Sequence, residues 1–233
     1  MLGTIVNSIS IIIGSLIGLF FHKSIKSNYS DIMLKSISLS IILIGMSNAL
    51  KTENLMIVIF SMVLGSVMGE FLKIEENLNK IGEFLESKFA SKGGNISKGF
   101  VTSSLVYCVG SMAIIGALES GLSGNHQTLF AKSTLDGISA IVFSSTMGIG
   151  VMLSSVSVFL YQGAITLLSS LLKDVLIASV VTEMSATGGL LILALGFNML
   201  EFKNIKVGNM LPAIFMPLIF YMVQLLSGLN LGF

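Results

Sequence analysis

The chain is poor in charge. Only 11% of its 233 residues are Asp, Glu, Lys or Arg, against about 25% in a soluble domain, so it cannot clothe a water-facing surface. It has no arginine. All 13 cations are lysine, which removes the bidentate clamp for phosphates and carboxylates and speaks against a basic nucleic-acid stripe. The single cysteine, Cys108, cannot form an internal disulfide, and the two distant histidines, His22 and His126, cannot make a histidine-based metal site. Two prolines stand against 24 glycines, and glycine is commoner in membrane helices than in soluble ones. A soluble enzyme, a secreted disulfide scaffold and a nucleic-acid binder are thereby excluded. Apolar residues are what the chain has in plenty: 53% are hydrophobic, mean hydropathy is +0.93 and net charge is +1. A polytopic membrane protein remains.

About 20 apolar residues span a hydrocarbon core, and shorter runs do so where the bilayer thins. Eight runs are candidates: 3–21, 36–50, 55–69, 99–118, 137–153, 154–172, 175–200 and 207–226. The expected fold class is all-α, a polytopic transmembrane helix bundle of six to eight spans, forming a single integral-membrane domain over 1–233. No charge separates the fifth run from the sixth. Only Gly148-Ile149-Gly150 and Ser154, Ser155 and Ser157 suggest a break, so two short helices or one re-entrant pair would fit. The run at 175–200 is long for one crossing and carries Glu183 a third of the way in.

Lysines set the orientation. Lys23, Lys26 and Lys35 place the loop after the first run in the cytoplasm, with the amino terminus outside. Five lysines between 70 and 98 then fall on the same side, and so do Lys203 and Lys206 if all eight runs cross. A secretory signal peptide is the competing reading of residues 3–21. No basic region precedes that run, and no small-residue cleavage site follows it.

Residues 70–98 carry ten charges in 29 positions. Within them Ile74, Leu78, Ile81, Leu85 and Phe89 recur at spacings of four and three, with Glu75, Glu76, Lys80, Glu83 and Glu86 on the other faces. That period predicts a cytoplasmic amphipathic helix. It would lie along the membrane surface or on neighbouring spans, or serve as a subunit-pairing seam. Gly93-Gly94-Asn95 closes the segment as a hinge.

Shifting the chain by 151 residues lays Leu39, Ile41 and Gly45 on Leu190, Ile192 and Gly196, and Ser47 on Asn198. Both copies then reach a polar turn, Lys51-Thr52-Glu53-Asn54 and Glu201-Phe202-Lys203-Asn204. With the orientation above, the copies run in opposite directions through the membrane. This would be an inverted repeat, an architecture common among secondary transporters. A second pattern concerns packing: Ser10, Gly14 and Gly18 in the first run match Ser61, Gly65 and Gly69 in the third. Four-residue spacing places each set on one helix face, where backbones can approach closely. Contacts within the subunit are the expected use, and a dimer contact is the alternative.

Ionisable residues inside a span are costly and mark function. Glu183 is one, unless it sits at a helix end in the headgroup layer. Lys132 and Asp136 stand four apart and would pair on a helix, either as a plain ion pair or beside a vestibule. Glu119 ends the fourth run as an interfacial residue. Asn7, Asn48, Asn198 and Gln162 lie in or near spans, where amides serve as interhelical glue or as ligands. Their oxygens suit a monovalent cation or water, while thiol and imidazole ligands for a transition metal are lacking. No nucleophile elbow, HExxH or Walker sequence is present, and neither an enzyme nor a cofactor is expected.

The runs Gly110-Ser111-Met112-Ala113-Ile114-Ile115-Gly116, Lys132-Ser133-Thr134-Leu135-Asp136-Gly137, Gly148-Ile149-Gly150-Val151, Glu183-Met184-Ser185-Ala186-Thr187-Gly188-Gly189 and Leu211-Pro212-Ala213 together resemble the DUF554 family of YdfK/YqgA-like bacterial inner-membrane proteins. The likeness covers almost the whole chain in order. It implies a bacterial plasma membrane, multi-pass, and no established substrate or site.

The expected function is therefore a small transporter or channel for an ion or small polar solute, acting as a homo-oligomer in the lipid bilayer. Asp136 and Glu183 would bind a monovalent cation or proton. Lys132, Asn198, Gln162 and Asn48 would complete the site. The rival expectation is a non-transporting scaffold or sensor working through the 74–89 helix.

Overall fold

The computed structural model describes residues 1–22, 27–78, 80 and 96–227. The described chain is all-α and holds no strand. Its helices are α1 (Leu2–His22), α2 (Ser27–Ala49), α3 (Leu55–Phe71), α4 (Ile96–Cys108), α5 (Ser111–Leu122), α6 (Gln127–Met147), α7 (Gly150–Leu167), α8 (Ser169–Leu172), α9 (Ala178–Met199), α10 (Val207–Met210) and α11 (Met216–Ser227). A 3₁₀ segment, Leu211–Phe215, joins the last two. Five stretches are long and apolar enough to cross a membrane: Leu2–Phe21, Asp31–Ala49, Gly150–Leu167, Ala178–Met199 and Val207–Ser227. The bent pair α4–α5 makes a sixth if it counts as one span, and the 17-residue α3 is a shorter apolar helix.

Several boundaries differ from the sequence expectation, each for a backbone reason. The run at 99–118 is not one helix. It breaks at Val109-Gly110, where Gly110 takes φ +141°, a value that side chains rarely allow, and the two halves meet at 62°. The break expected at Gly148-Ile149-Gly150 is present, with Gly148 at φ +74°. The helix before it starts at Gln127, ten residues ahead of the apolar run, so Lys132 and Asp136 belong to the same helix as that run. The final run is regular only in part, because Pro212 and Pro217 lack the N–H that an α-helix needs. The 74–89 helix lies largely outside the described residues; 74–78 and 80 are helical.

By backbone proximity the chain falls into two compact units. The first takes the described residues within Met1–Ile37, Asn79–Cys108 and Met112–Ser170. In it, α1 runs along α6 with almost nothing between the backbones. A side chain at Gly14 would strike the Gly137 carbonyl, and one at Gly18 would strike the Ile141 carbonyl and the Ser144 hydroxyl. Ser144 Oγ lies 2.6 Å from the Ala140 carbonyl and 3.0 Å from that of Ser15, bridging the two helices. Likewise α7 meets α4 where a side chain at Gly150 would strike the Ile96 carbonyl.

Polarity in this unit is reversed relative to a soluble protein. Along α1, Thr4, Asn7, Ser8 and Ser15 are buried, while Ile13, Leu16 and Phe20 are 53%, 54% and 78% exposed. Along α6, Lys132, Ser133, Asp136 and Ser144 are buried and Leu135 and Ile138 face outward. An outer surface of isoleucine and phenylalanine suits an apolar surrounding such as lipid hydrocarbon and not water.

The second unit takes Ser38–Leu78, Val109–Ser111 and the described part of Leu171–Phe233. Here α3 packs on α10 and the 3₁₀ segment: Gly65 faces the Ala213 backbone and Gly69 the Asn209 carbonyl, each without room for a Cβ. In the same unit α2 also packs closely on α9. A Cβ on Gly45 would fall on the Gly189 carbonyl oxygen and the Leu193 nitrogen. One on Gly196 would strike the Ile42 Cγ1 atom and come within 3.0 Å of the Ser38 carbonyl oxygen and 3.1 Å of the Ile42 nitrogen. Both small-residue stripes are thus used within their own units. Among the described residues they serve to bring backbones together.

Candidate functional site

The first unit brings three helices to one buried polar cluster. On α6, Lys132 and Asp136 stand one turn apart, and the Lys132 ammonium lies 2.9 Å from the Asp136 carboxylate. From α1, Asn7 Nδ2 donates to Asp136 Oδ2 at 3.0 Å. It also lies 3.3 Å from Gln162 Oε1 on α7. Burial is nearly complete: Asn7 and Gln162 are 0% exposed, Asp136 5% and Lys132 7%. Of the six residues singled out from sequence, Asp136, Lys132 and Gln162 therefore meet here.

Two features set this cluster apart from ordinary interhelical glue. Replacing a buried ion pair by apolar residues is often neutral or stabilising, so the pair is not needed merely to hold helices together. In addition, two polar atoms of the cluster itself, and others on its helices, are buried without a partner among the described residues. They include Asn7 Oδ1, Gln162 Nε2 and the hydroxyls of Thr4 and Ser8 on α1 and Thr166 on α7. Buried polar atoms are normally satisfied, and each exception calls for an explanation. From α4, the buried Tyr107 hydroxyl likewise finds no hydrogen-bond partner among the described residues.

Glu183, Asn198 and Asn48 belong to the second unit. Glu183 lies on the second turn of α9 and is 2% exposed. Its Oε2 accepts the Thr52 hydroxyl at 2.6 Å, and its Oε1 accepts the backbone N–H groups of Glu53 at 2.8 Å and Asn54 at 3.0 Å. These donors precede α3, whose N-cap is Asn54; the Asn54 side chain accepts from Met56 and Ile57. A helix start leaves N–H groups without partners and carries partial positive charge, so a carboxylate is the fitting neighbour. The Asn198 amide exchanges two hydrogen bonds with the Ile205 backbone, at 2.7 and 2.8 Å, and so closes the loop after α9. Asn48 is half-buried, its Oδ1 3.5 Å from the Lys51 ammonium.

The same unit holds a polar knot that sequence reasoning missed. Glu70 accepts from Lys206 at 2.9 Å and from Asn209 at 2.5 Å, Glu75 accepts the Gly208 N–H at 2.6 Å, and the Glu75 N–H donates to Asn209 at 2.7 Å. Lys206 and Asn209 hold the Glu70 carboxyl below the usual glutamate range, with burial a lesser opposing influence. These residues tie the end of α3 to the turn that opens α10.

Helices that bury amides and hydroxyls and turn isoleucine outward define an all-α, multi-pass membrane protein. The chain belongs to the DUF554 family, described as a protein of unknown function, whose model matches residues 2–222. It is 34% identical over 223 residues to the "Uncharacterized membrane protein YdfK" of Bacillus subtilis (strain 168), spanning 93% of this chain and 94% of that one. It is 26% identical over 222 residues to the "Uncharacterized protein YqgA" of Escherichia coli (strain K12), again over 93% and 94% of the two chains. No solved structure matches it.

Proposed function

We propose that this protein is a small secondary-type transporter or channel for an ion or small polar solute, with the Asp136 cluster as its site. The observation that carries the reading is the buried Lys132–Asp136 pair, joined to Asn7 and Gln162 from two further helices, with Asn7 Oδ1 and Gln162 Nε2 unpartnered among the described residues. Intramembrane ionisable groups facing a helix interior recur along solute and ion pathways. Glu183 and Asn198 enter this reading as supports, since the chain itself uses their polar atoms, and Asn48 as a half-buried amide beside Lys51. No covalent step is involved.

An inverted repeat would fit the same reading. Subtracting 151 from Gly189, Leu193 and Gly196 gives Ser38, Ile42 and Gly45. Gly45 approaches the Gly189 oxygen and the Leu193 nitrogen, while Gly196 approaches the Ser38 oxygen and the Ile42 nitrogen. The two contacts are thus each other's images under the offset that also aligns Leu39 with Leu190 and Ile41 with Ile192. Antiparallel packing of the two copies is what opposite passage through the bilayer would require. In this reading the chain is multi-pass in a bacterial inner membrane and works as a homo-oligomer.

The test is reconstitution into liposomes loaded with pH- or sodium-sensitive dyes, followed by counterflow assays with small polar solutes. Wild-type protein should support flux of one of these species, and Asp136→Asn should abolish it while Glu183→Gln retains it. Equal flux through the Asp136→Asn protein would remove this cluster from the pathway.

A further inference from the structure

The oxygens of the Asp136 cluster also indicate what kind of particle they would hold, on the footing of the transport reading above. Asn7 Nδ2 lies between Asp136 Oδ2, at 3.0 Å, and Gln162 Oε1, at 3.3 Å, while Asn7 Oδ1 is buried without a hydrogen-bond partner. Half a turn of the Asn7 amide exchanges its nitrogen and oxygen, which are nearly equal in size. One carboxylate oxygen and two amide oxygens would then converge with no donor between them. A set of hard oxygen ligands without thiol or imidazole suits a hard cation, and the single negative charge suits a monovalent one. At present that charge is answered by the Lys132 ammonium, 2.9 Å away on a flexible stem.

We infer that Lys132 is a tethered competitor at a site for an alkali metal cation formed by Asp136, Asn7 and Gln162. Its ammonium partners Asp136 when the site holds no ion. An alkali cation takes over the carboxylate when the ammonium withdraws. Because a buried carboxylate stripped of its partner is strongly unfavourable, arrival of one cation and departure of the other are linked. Asp136 keeps a single positive partner throughout. The orphaned Asn7 oxygen is a ligand held in reserve, which accounts for its burial without a partner.

The full chain in detergent or nanodiscs tests this in two ways: binding of radiolabelled sodium ion, and thermal unfolding in lithium, sodium, potassium or choline chloride at equal ionic strength. Lys132→Gln removes the competitor. It should bind sodium about tenfold more tightly than wild type or better, since the wild-type site is open only when the ammonium is away. Its melting temperature, depressed in choline, should recover in an alkali salt. Lys132→Met combined with Asp136→Leu lacks both charges and should fold and melt alike in all four salts. Sodium affinity of Lys132→Gln no higher than wild type, melting indifferent to the cation, or failure to fold in every salt overturns the inference. Alkali rescue of Lys132→Gln without liposome flux for any solute would sink the transport reading and leave the cation site standing. Flux that depends on Asp136, with no alkali effect in either assay, would do the reverse.

Discussion

The Thr52 hydroxyl donates to Glu183 Oε2 at 2.6 Å across 131 positions of sequence. With the two backbone N–H groups on Oε1, it makes this buried carboxylate the anchor of the 51–54 turn. Glu183→Ala should cost about 3 kcal/mol or more, since hydrogen bonds to an ionised group contribute about 1.5–3 kcal/mol each. Glu183→Gln keeps an oxygen for the two N–H groups and should cost about 1 kcal/mol. Unfolding titrations in bicelles measure both. A Glu183→Ala protein as stable as wild type would deny the anchor.

Breaking the Lys132–Asp136 pair on one side only leaves a buried charge alone. In choline chloride, where no alkali cation can replace the ammonium, Lys132→Met and Asp136→Leu should each destabilise by about 3–5 kcal/mol. The double variant should lie within about 2 kcal/mol of wild type, far less than the sum. Additive losses in the double-mutant cycle would mean that the two charges do not depend on each other.

Gly14 and Gly18 let α1 lie against the α6 carbonyls. Gly14→Ala and Gly18→Ala should each cost about 1–3 kcal/mol through forced separation of the helices. Gly163→Ala is the control. A Cβ there meets only Met1 Cε, at 3.6 Å, so the change should be neutral or stabilising by up to about 1 kcal/mol. Equal losses at all three positions would show that close approach is not what these glycines provide.

Glu70 gives a pH dependence with a definite sign. Its folded carboxyl is held below the ordinary value of 4.5 by Lys206 and Asn209. Its contribution is therefore fully present above 4.5 and is lost as pH falls through the lowered value. Stability followed from pH 7 to pH 3 should decline in that acidic window, and Glu70→Gln should flatten part of the decline. An unchanged acid limb in the variant would place the titrating groups elsewhere.

Local features were legible in the sequence and tertiary ones were not. The Lys132–Asp136 spacing and the Gly148-Ile149-Gly150 break depend on neighbours along one helix, and both stand as read. The kink at Val109-Gly110 escaped notice because apolar residues run straight through it and no charge or proline marks the turn. Helix α6 begins ten residues ahead of the apolar run, because an i,i+4 pair of opposite charges lets polar residues continue the same helix. The pairing of Asn7 with Asp136 spans 129 positions, and nothing near Asn7 hints at it. Glu183 is held mostly by backbone N–H groups, which every residue but proline carries, so its partners leave no signature.

The reversed polarity of α1 inverts the usual rules of mutational tolerance. Exchanging Ile13 or Phe20 for another greasy residue of different shape changes only what the lipid tails touch, so drift there should be nearly free. Swapping Ser15 or Thr4 for a larger group would wedge helices apart, even though hydroxyl residues are ordinarily the expendable ones. Selection on this molecule should therefore spare its aliphatic exterior and police its small polar interior.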